Sequence, residues 1–462
     1  MLQNNRHLCQ RVLGLEIKLA NDRMESHTHS EESWIAQTLM GLSEDLTWLN
    51  SFRWEGAEIP VDSLWKSLRR NCHSLRSIAT IIGEDIIDPE SPLFEFSNLT
   101  HFSIQGTHRM SSPPPSKAED LPWKLWEMLI NRCPELASLY VTSDNSTNTS
   151  TVAPSFRRWF NLGPVTQGHW PSLTRLALCG EFETSQELGE FLDKHNRLKS
   201  LVLMCVGAQV EEQQCIPVVP LAGPGQLRLP KLEMFLGPHR AVMHLQQSSC
   251  LAHLNLFNDV LRDRESVHSL RQALSATRYP SLTKLEFAIS DLGHATCAGD
   301  TPLGVETGSL FNVIASTCPA LEELHLKCYR CPKKSLSSML SSLSALHKID
   351  YLTFVKPYKS FSDESVRQTA IRAIRACPSL RKVKISKCQF SSQSSRAYNM
   401  IGVEKENVKA EGIYLFSRSG KSLMRMVAHE RGGFLGWDDE VRISWSGQAE
   451  RKFSFDVSLA KP

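Results

Sequence analysis

A single pattern, Cys-Pro-x-Leu-x-x-Leu-x-Leu, constrains this chain more than any other feature. At its most regular it reads Cys318-Pro319-Ala320-Leu321-Glu322-Glu323-Leu324-His325-Leu326. It returns as Cys133-Pro134-x-Leu136-x-x-Leu139-x-Val141 and Cys377-Pro378-x-Leu380-x-x-Val383-x-Ile385. An aromatic replaces the cysteine in Trp170-Pro171-x-Leu173-x-x-Leu176-x-Leu178 and Tyr279-Pro280-x-Leu282-x-x-Leu285-x-Phe287. Helix-like runs lead into Leu136, Leu282, Leu321 and Leu380, and proline, which has no N–H to donate, stops them. The last two apolar positions then lie two residues apart on one face of a strand, with the residue between them on the other. Such a unit cannot bury its own apolar face and folds only by stacking on its neighbours.

Further matches at Val12-x-x-Leu15-x-Ile17, Leu49-x-x-Phe52-x-Trp54, Leu75-x-x-Ile78, Leu99-x-x-Phe102-x-Ile104, Leu198-x-x-Leu201-x-Leu203, Leu232-x-x-Phe235, Leu251-x-x-Leu254-x-Leu256 and Leu346-x-x-Ile349 extend the series. This is a degenerate leucine-rich repeat. It predicts an α/β fold, a curved leucine-rich-repeat solenoid with about a dozen parallel strands on the concave face and helices outside. The array should occupy residues 1–390, with loop insertions near 105–121, 142–169 and 207–230. The first leucines are 34 residues apart from 198 to 232, 25 from 321 to 346 and 34 from 346 to 380, which fits a helix-bearing repeat with variable loops. Helices are expected over 31–42, 63–71 (capped by Asp62), 123–132, 185–195, 265–277, 307–317, 335–343 and 364–376.

After Ser386 the pattern stops, and residues 391–462 read as a small C-terminal unit. There Val441-x-Ile443-x-Trp445 and Phe453-x-Phe455-x-Val457 alternate with period two around Ser446-Gly447, the signature of an antiparallel hairpin. A stack of repeats ends in an exposed apolar face, so this unit is expected to cap the last one.

The formal net charge of +3 is too small to call for nucleic acid or a membrane surface as a partner of the whole chain. The longest apolar run, 201–208, falls far short of the roughly 18 residues that cross a bilayer. Residues 1–22 lack the apolar core and small-residue cleavage site of a signal peptide. The thirteen cysteines are odd in number, and many occupy repeat positions, which predicts reduced thiols in an intracellular protein, cytoplasmic or nuclear. The sequons at Asn98, Asn145 and Asn148 are then chance matches.

The Cys-Pro-x-Leu-x-x-Leu-x-Leu unit, its aromatic variants and the irregular repeat length resemble the leucine-rich arrays of fungal F-box-type proteins. The opening Leu8-Cys9-Gln10-Arg11-Val12-Leu13-Gly14-Leu15-Glu16-Ile17 is similar to the first repeat of such proteins, just after the F-box, and the likeness covers about 8–390. It implies a protein–protein interaction module, the substrate-recognition subunit of an SCF-type ubiquitin ligase. Too few residues precede the first strand signal for an F-box, so the ligase adaptor enters only if an F-box is supplied elsewhere. A free-standing scaffold is the alternative, and an enzyme with its site in 391–462 a further one.

No catalytic, cofactor or metal motif is expected to operate. Cys328-Tyr329-Arg330-Cys331 has zinc-ligand or redox spacing but no second pair, and reads as packing. His27 and His29 read as solvated, and Trp123, Trp126 and Met128 as core. Gly432, Gly433 and Gly436 lack the strand-and-helix setting of a phosphate loop. The partner-binding residues are sought on the open face of the last strands, where the pattern projects Glu323, His325 and Lys327, then Lys348 and Asp350, then Lys382, Lys384 and Ser386. Strands lie about 4.8 Å apart, so three of them bring these groups within roughly 10 Å, near the Debye length of about 8 Å. The residues His325, Lys327, Lys348, Lys382 and Lys384 would then form a basic patch for an acidic segment of a protein partner, with Tyr140 and Phe257 as anchors on the same face.

Overall fold

The computed structural model describes residues 6–18, 28–83, 86–106, 118–143, 160–182, 185–204, 228–245, 248–296, 309–357, 364–389, 407–419, 423–431 and 439–446. The chain forms two compact units, one built on residues up to Leu232 and one on residues from Glu233 on. Both are mixed α/β and dominated by parallel sheet. In the first, the strands are β1 (Gly14–Lys18), β2 (Ser51–Glu55), β3 (Ser77–Ile82), β4 (His101–Gly106), β5 (Glu119–Asp120), β6 (Ser138–Ser143), β7 (Phe160–Asn161), β8 (Arg175–Glu181) and β9 (Ser200–Met204). Its main sheet runs β1-β2-β3-β4-β6-β8-β9, every pair parallel. The short β5 and β7 form a second parallel ladder that ends on Gly180 and Glu181 of β8. A Cβ at Gly180 would run into the Phe160 carbonyl, so this close approach needs glycine.

The second unit contains β10 (Met234–Leu236), β11 (His253–Leu261), β12 (Lys284–Asp291), β13 (Glu323–Arg330), β14 (Tyr351–Pro357) and β15 (Lys382–Gln389), parallel and in chain order. Beyond β15 the sheet continues antiparallel through β16 (Asn407–Ser419), β17 (Leu423–Arg431) and β18 (Asp439–Ser446).

The sequence pattern maps directly onto the register. Phe52, Ile78, Phe102, Leu139, Leu176 and Leu201 are successive Cα partners and all are buried. In the second unit Phe235, Leu254, Leu285, Leu324, Leu352 and Val383 form the same kind of row, and Leu256, Phe287, Leu326, Phe354 and Ile385 the next. A one-residue slip would exchange these for polar neighbours, so burial holds the register. Arg175 is exposed as expected, whereas Glu323 and Lys382 are only half exposed.

Helices fill the stretches between strands. Arg264–Ser275, Leu310–Thr317, Lys333–Leu343 and Val366–Ala376 each pack on the next. Asp263 and Ser365 close capping boxes with Ser266 and Gln368, which satisfy first-turn N–H groups. Asp62 is not a cap: it lies inside its helix, and its carboxylate accepts from Ser91 Oγ at 2.6 Å.

The step from helix to strand is the same in unit after unit. The carbonyl just before one strand accepts two N–H groups from the next repeat: Arg76 and Ser77 on Asn50, Thr100 and His101 on Arg76, Ala137 and Ser138 on Thr100. The second unit repeats it, with Thr283 and Lys284 on Ala252, Glu322 and Glu323 on Thr283, Asp350 and Tyr351 on Glu322, Arg381 and Lys382 on Asp350.

The position of the pattern's Cys or aromatic residue also has a recurring task. In four units its buried side chain donates to a carbonyl in the helical segment of the unit before. Cys72 Sγ reaches Ser43 O at 3.8 Å, Trp170 Nε1 reaches Leu129 O at 2.9 Å, Tyr279 Oη reaches Val242 O at 3.5 Å and Cys377 Sγ reaches Leu340 O at 3.4 Å. An apolar body with a weak donor at its tip meets both demands, which explains why cysteine and aromatic residues alternate here. Burial pushes the thiols of Cys72 and Cys318 up to about 11 and that of Cys377 up to about 12, so they stay protonated and inert.

Two expectations need correction. The unit written as Leu346-x-x-Ile349 is Ile349-x-x-Leu352-x-Phe354, because Leu352 is the partner of Leu324 and Val383. Leu346 instead occupies the Cys318 position, and the spacing evens to 28 residues from Leu321 and 31 to Leu380. The C-terminal hairpin also differs: Val441–Trp445 lies in β18 and pairs with β17, while Phe453–Val457 lies outside the described residues.

Leu324→Asp places a charge in the buried row and should lower unfolding free energy by about 4 kcal/mol or more, while Glu323→Ala should cost less than about 1. Urea denaturation separates the two. Trp170→Phe removes a buried donor and some volume, for an expected loss of about 2 kcal/mol in the same measurement.

Candidate functional site

Because side chains alternate along a strand, the face opposite the apolar rows of the second unit is set by the same register. One row across it reads His253, Lys284, Glu323, Tyr351, Lys382 and Leu415, the next Asn255, Glu286, His325, Thr353, Lys384 and Ile413. A third holds Ala288, Lys327, Val355, Ser386 and Glu411.

Glu286 is the best-held charge on this face. Its side chain is 9% exposed, yet it receives His253 Nε2 at 2.9 Å, Asn255 Nδ2 at 3.2 Å and Lys284 Nζ at 2.6 Å. Burial alone would raise its pKa. Hydrogen bonds from His253 and Lys284, together with the charges of His325 and Lys284, more than offset that and bring it from 4.5 down to about 2.

His325, on the neighbouring strand, behaves in the opposite way. Desolvation holds its imidazole below the ordinary value, and the carboxylates of Glu286 and Glu323 restore only part. Its Nε2 is buried without a hydrogen bond among the described residues, with Glu323 Oε2 3.5 Å away. Directly across the ladder, Thr353 Oγ1 is also buried and unpartnered among the described residues. The Tyr351 ring stands edge-on to His325 at 5.3 Å, and Lys382 Nζ lies 4.4 Å from the centre of that ring.

The expected basic patch is brought together only in part. His325, Lys382 and Lys384 share the face, but Lys384 Nζ is 2.7 Å from Glu411, which also accepts from Ser386 Oγ at 3.0 Å. Lys327 faces the expected way yet is 8% exposed, its Nζ 4.9 Å from the Tyr329 ring centre, and is not a surface cation. Lys348 is exposed but precedes β14 in the turn, as does Asp350, because the register there is three residues later than the pattern suggested. Asp350 pairs instead with Arg381 at 3.4 Å. Tyr140 is half-buried in the first unit, and the side chain of Phe257 lies outside the described residues.

Two members of this region escaped the sequence. Glu411 arrives on β16, whose period-two signal Val408-x-Ala410-x-Gly412-x-Tyr414-x-Phe416 is present but carries glycine and alanine at its centre. Lys356, 1% exposed, follows Leu352 and Phe354 on the inward face of β14 and was hidden by the misplaced register.

Elsewhere, Trp126 and Met128 are core as expected, whereas Trp123 is 58% exposed. Cys328 and Cys331 are buried, the described cysteines are free thiols, and no cluster suited to a metal ion occurs among the described residues. His27, the glycines 432, 433 and 436, and most of the 207–230 insertion lie outside the described residues. No described helix is long and apolar enough to cross a membrane. No protein-family model matches the sequence, and no curated protein matches it.

The Glu286 carboxylate titrates far lower folded than unfolded, so its contribution is present above pH 4.5 and is lost as pH falls toward 2. That difference corresponds to about 3 kcal/mol. Glu286→Gln should lower stability at pH 7 by a similar order and flatten the acid limb between pH 5 and 2, measured by chemical denaturation across pH.

Proposed function

We propose that this chain is a leucine-rich-repeat protein that recognises another protein through the polar sheet face around Tyr351. The observation that carries this reading is the adjacent pair His325 Nε2 and Thr353 Oγ1, buried polar atoms without a hydrogen bond among the described residues, the first of them with only the Glu323 carboxylate 3.5 Å away. Such atoms cost about 1–3 kcal/mol each until a partner supplies hydrogen bonds. Tyr351 adds an amphipathic ring of the kind that anchors interfaces, and Lys382, paired with that ring instead of a carboxylate, offers a cation to an acidic side chain. The contact surface is therefore smaller and less charged than a five-residue basic patch, because Lys327, Lys348 and Lys384 do not serve as free cations on it. Substrate recognition for a ubiquitin ligase is the finer form of this reading, supported by the resemblance of the repeat unit, and a free-standing scaffold would use the same face.

Position-specific photocross-linking tests it. A benzoylphenylalanine in place of Tyr351 should cross-link a discrete protein in extract, and one in place of the exposed Ser338 on the helical side should not. With that protein in hand, Lys382→Glu should weaken binding at least about tenfold and flatten its salt dependence. Equal labelling from both positions, or an unchanged affinity, would remove the face as the binding site.

A further inference from the structure

On the opposite side of β13 and β14, a buried lysine lies beside two thiols. The ladder pairs Lys327 with Val355, which sets Lys356 next to Cys328 on the inward face. Lys356 Nζ donates to Thr369 Oγ1 at 2.5 Å and to the Glu364 carbonyl at 3.3 Å. An ammonium has three protons and a full charge, so two neutral acceptors satisfy neither. The Glu364 carboxylate is engaged by Arg372 at 3.0 Å. On the adjoining strand Lys387 adds a like charge. The Glu364 carboxylate, shared with Arg372, compensates Lys356 only in part, and the further groups at hand that can become anionic are Cys331 and Cys328.

The two thiols are close enough to act on one another and are 0% and 5% exposed. Their surroundings divide the roles. Cys331 sits two residues ahead of helix Lys333–Leu343, whose N-terminal end favours negative charge, and it also feels Lys356 and Arg372. Cys328 lies deeper and faces Asp291. The titration directions agree. The Cys328 contact and then Lys356 and Arg372 hold Cys331 below its ordinary 9.0, against burial and Glu364. Burial, the Cys331 contact and Asp291 push Cys328 up.

We propose that Cys328, Cys331 and Lys356 form a peroxide-reactive dithiol site, with Cys331 the attacking thiolate and Cys328 the resolving thiol. The Cys331 sulfur attacks one oxygen of hydrogen peroxide, the O–O bond breaks, and hydroxide leaves and takes a proton to become water. Cys331 is then a sulfenic acid. Cys328 sulfur attacks it, the S–O bond breaks, and the Cys328 proton leaves with the hydroxide as a second water. Two thiols and one peroxide thus give one disulfide and two waters, the sulfur pair losing two electrons and the peroxide gaining them. A dithiol reductant returns the site to its starting state. Lys356 acts by compensating charge, and the narrow exposure of Cys331 selects small peroxides over bulky disulfides.

The test is peptide mapping of the full chain after one equivalent of hydrogen peroxide, with free thiols alkylated under denaturing conditions. A Cys328–Cys331 disulfide is expected, with Cys318 and Cys377 still alkylated. Cys328→Ser should leave a sulfenic acid on Cys331 that dimedone traps, and Cys331→Ser should leave Cys328 unreactive. Lys356→Met should slow oxidation at least about tenfold, the equivalent of one pKa unit. If that variant fails to fold, the pH profile of the unaltered chain decides. The rate should level off at a lower pH than that of a thiol titrating at the ordinary 9.0. Alkylation of Cys328 and Cys331 to the same extent as Cys318, a rate untouched by Lys356→Met, or a profile rising through pH 9 would each overturn the proposal.

Discussion

Everything in the two units depends on one carbonyl used twice. Entering β2, β3, β4, β6, β8 and β9 of the first unit and β11 to β15 of the second, a single backbone oxygen of one repeat accepts two consecutive N–H groups of the next. Those bonds fix where the following strand begins, and the alternation of side chains then decides which residues meet the helices and which form the opposite face. The apolar rows, the burial of Glu286 beside His253 and the meeting of His325 with Tyr351 all descend from that starting point. Side-chain packing reinforces it, since a slipped strand would turn its leucines outward.

The strands were legible because two apolar positions two residues apart, after a helix stop, leave little freedom. Units with a complete signature, such as those at Leu173, Leu282, Leu321 and Leu380, fall where the pattern puts them. The weakly marked unit failed for a definite reason. Leu346 and Ile349 satisfy the spacing of the two leucines of the pattern, but Leu346 stands in the place that Cys318 fills elsewhere, and Ile349 is the true first leucine. That three-residue error carried Lys348 onto the face and took Tyr351 off it. Charge pairing was out of reach for another reason. The partner of Lys384 is on a strand joined antiparallel some two dozen residues later, and no local pattern announces which strand will lie beside it.

The second unit buries charge in two different ways. Glu286 is a carboxylate surrounded by donors with formal positive partners, so its ionised form is the stable one. Lys356 is a cation whose hydrogen-bond acceptors are neutral oxygens, and burial lowers its pKa from 10.5 to about 8. The first arrangement is complete without chemistry. The second places an incompletely compensated charge next to sulfur, where a proton or an electron pair can move to balance it.

The donor that four of the repeat units send into a helical carbonyl of the unit before has a consequence for how such a chain can change in length. Cys72, Trp170, Tyr279 and Cys377 meet equivalent acceptors although the residues themselves differ. These four junctions are therefore interchangeable in kind. Removing or duplicating one whole unit brings a donor of the same type against an acceptor of the same type, whereas a change ending inside a unit separates the two. Gene rearrangements would be filtered by this geometry, leaving lengths that vary by entire modules and by the loops that cross no junction.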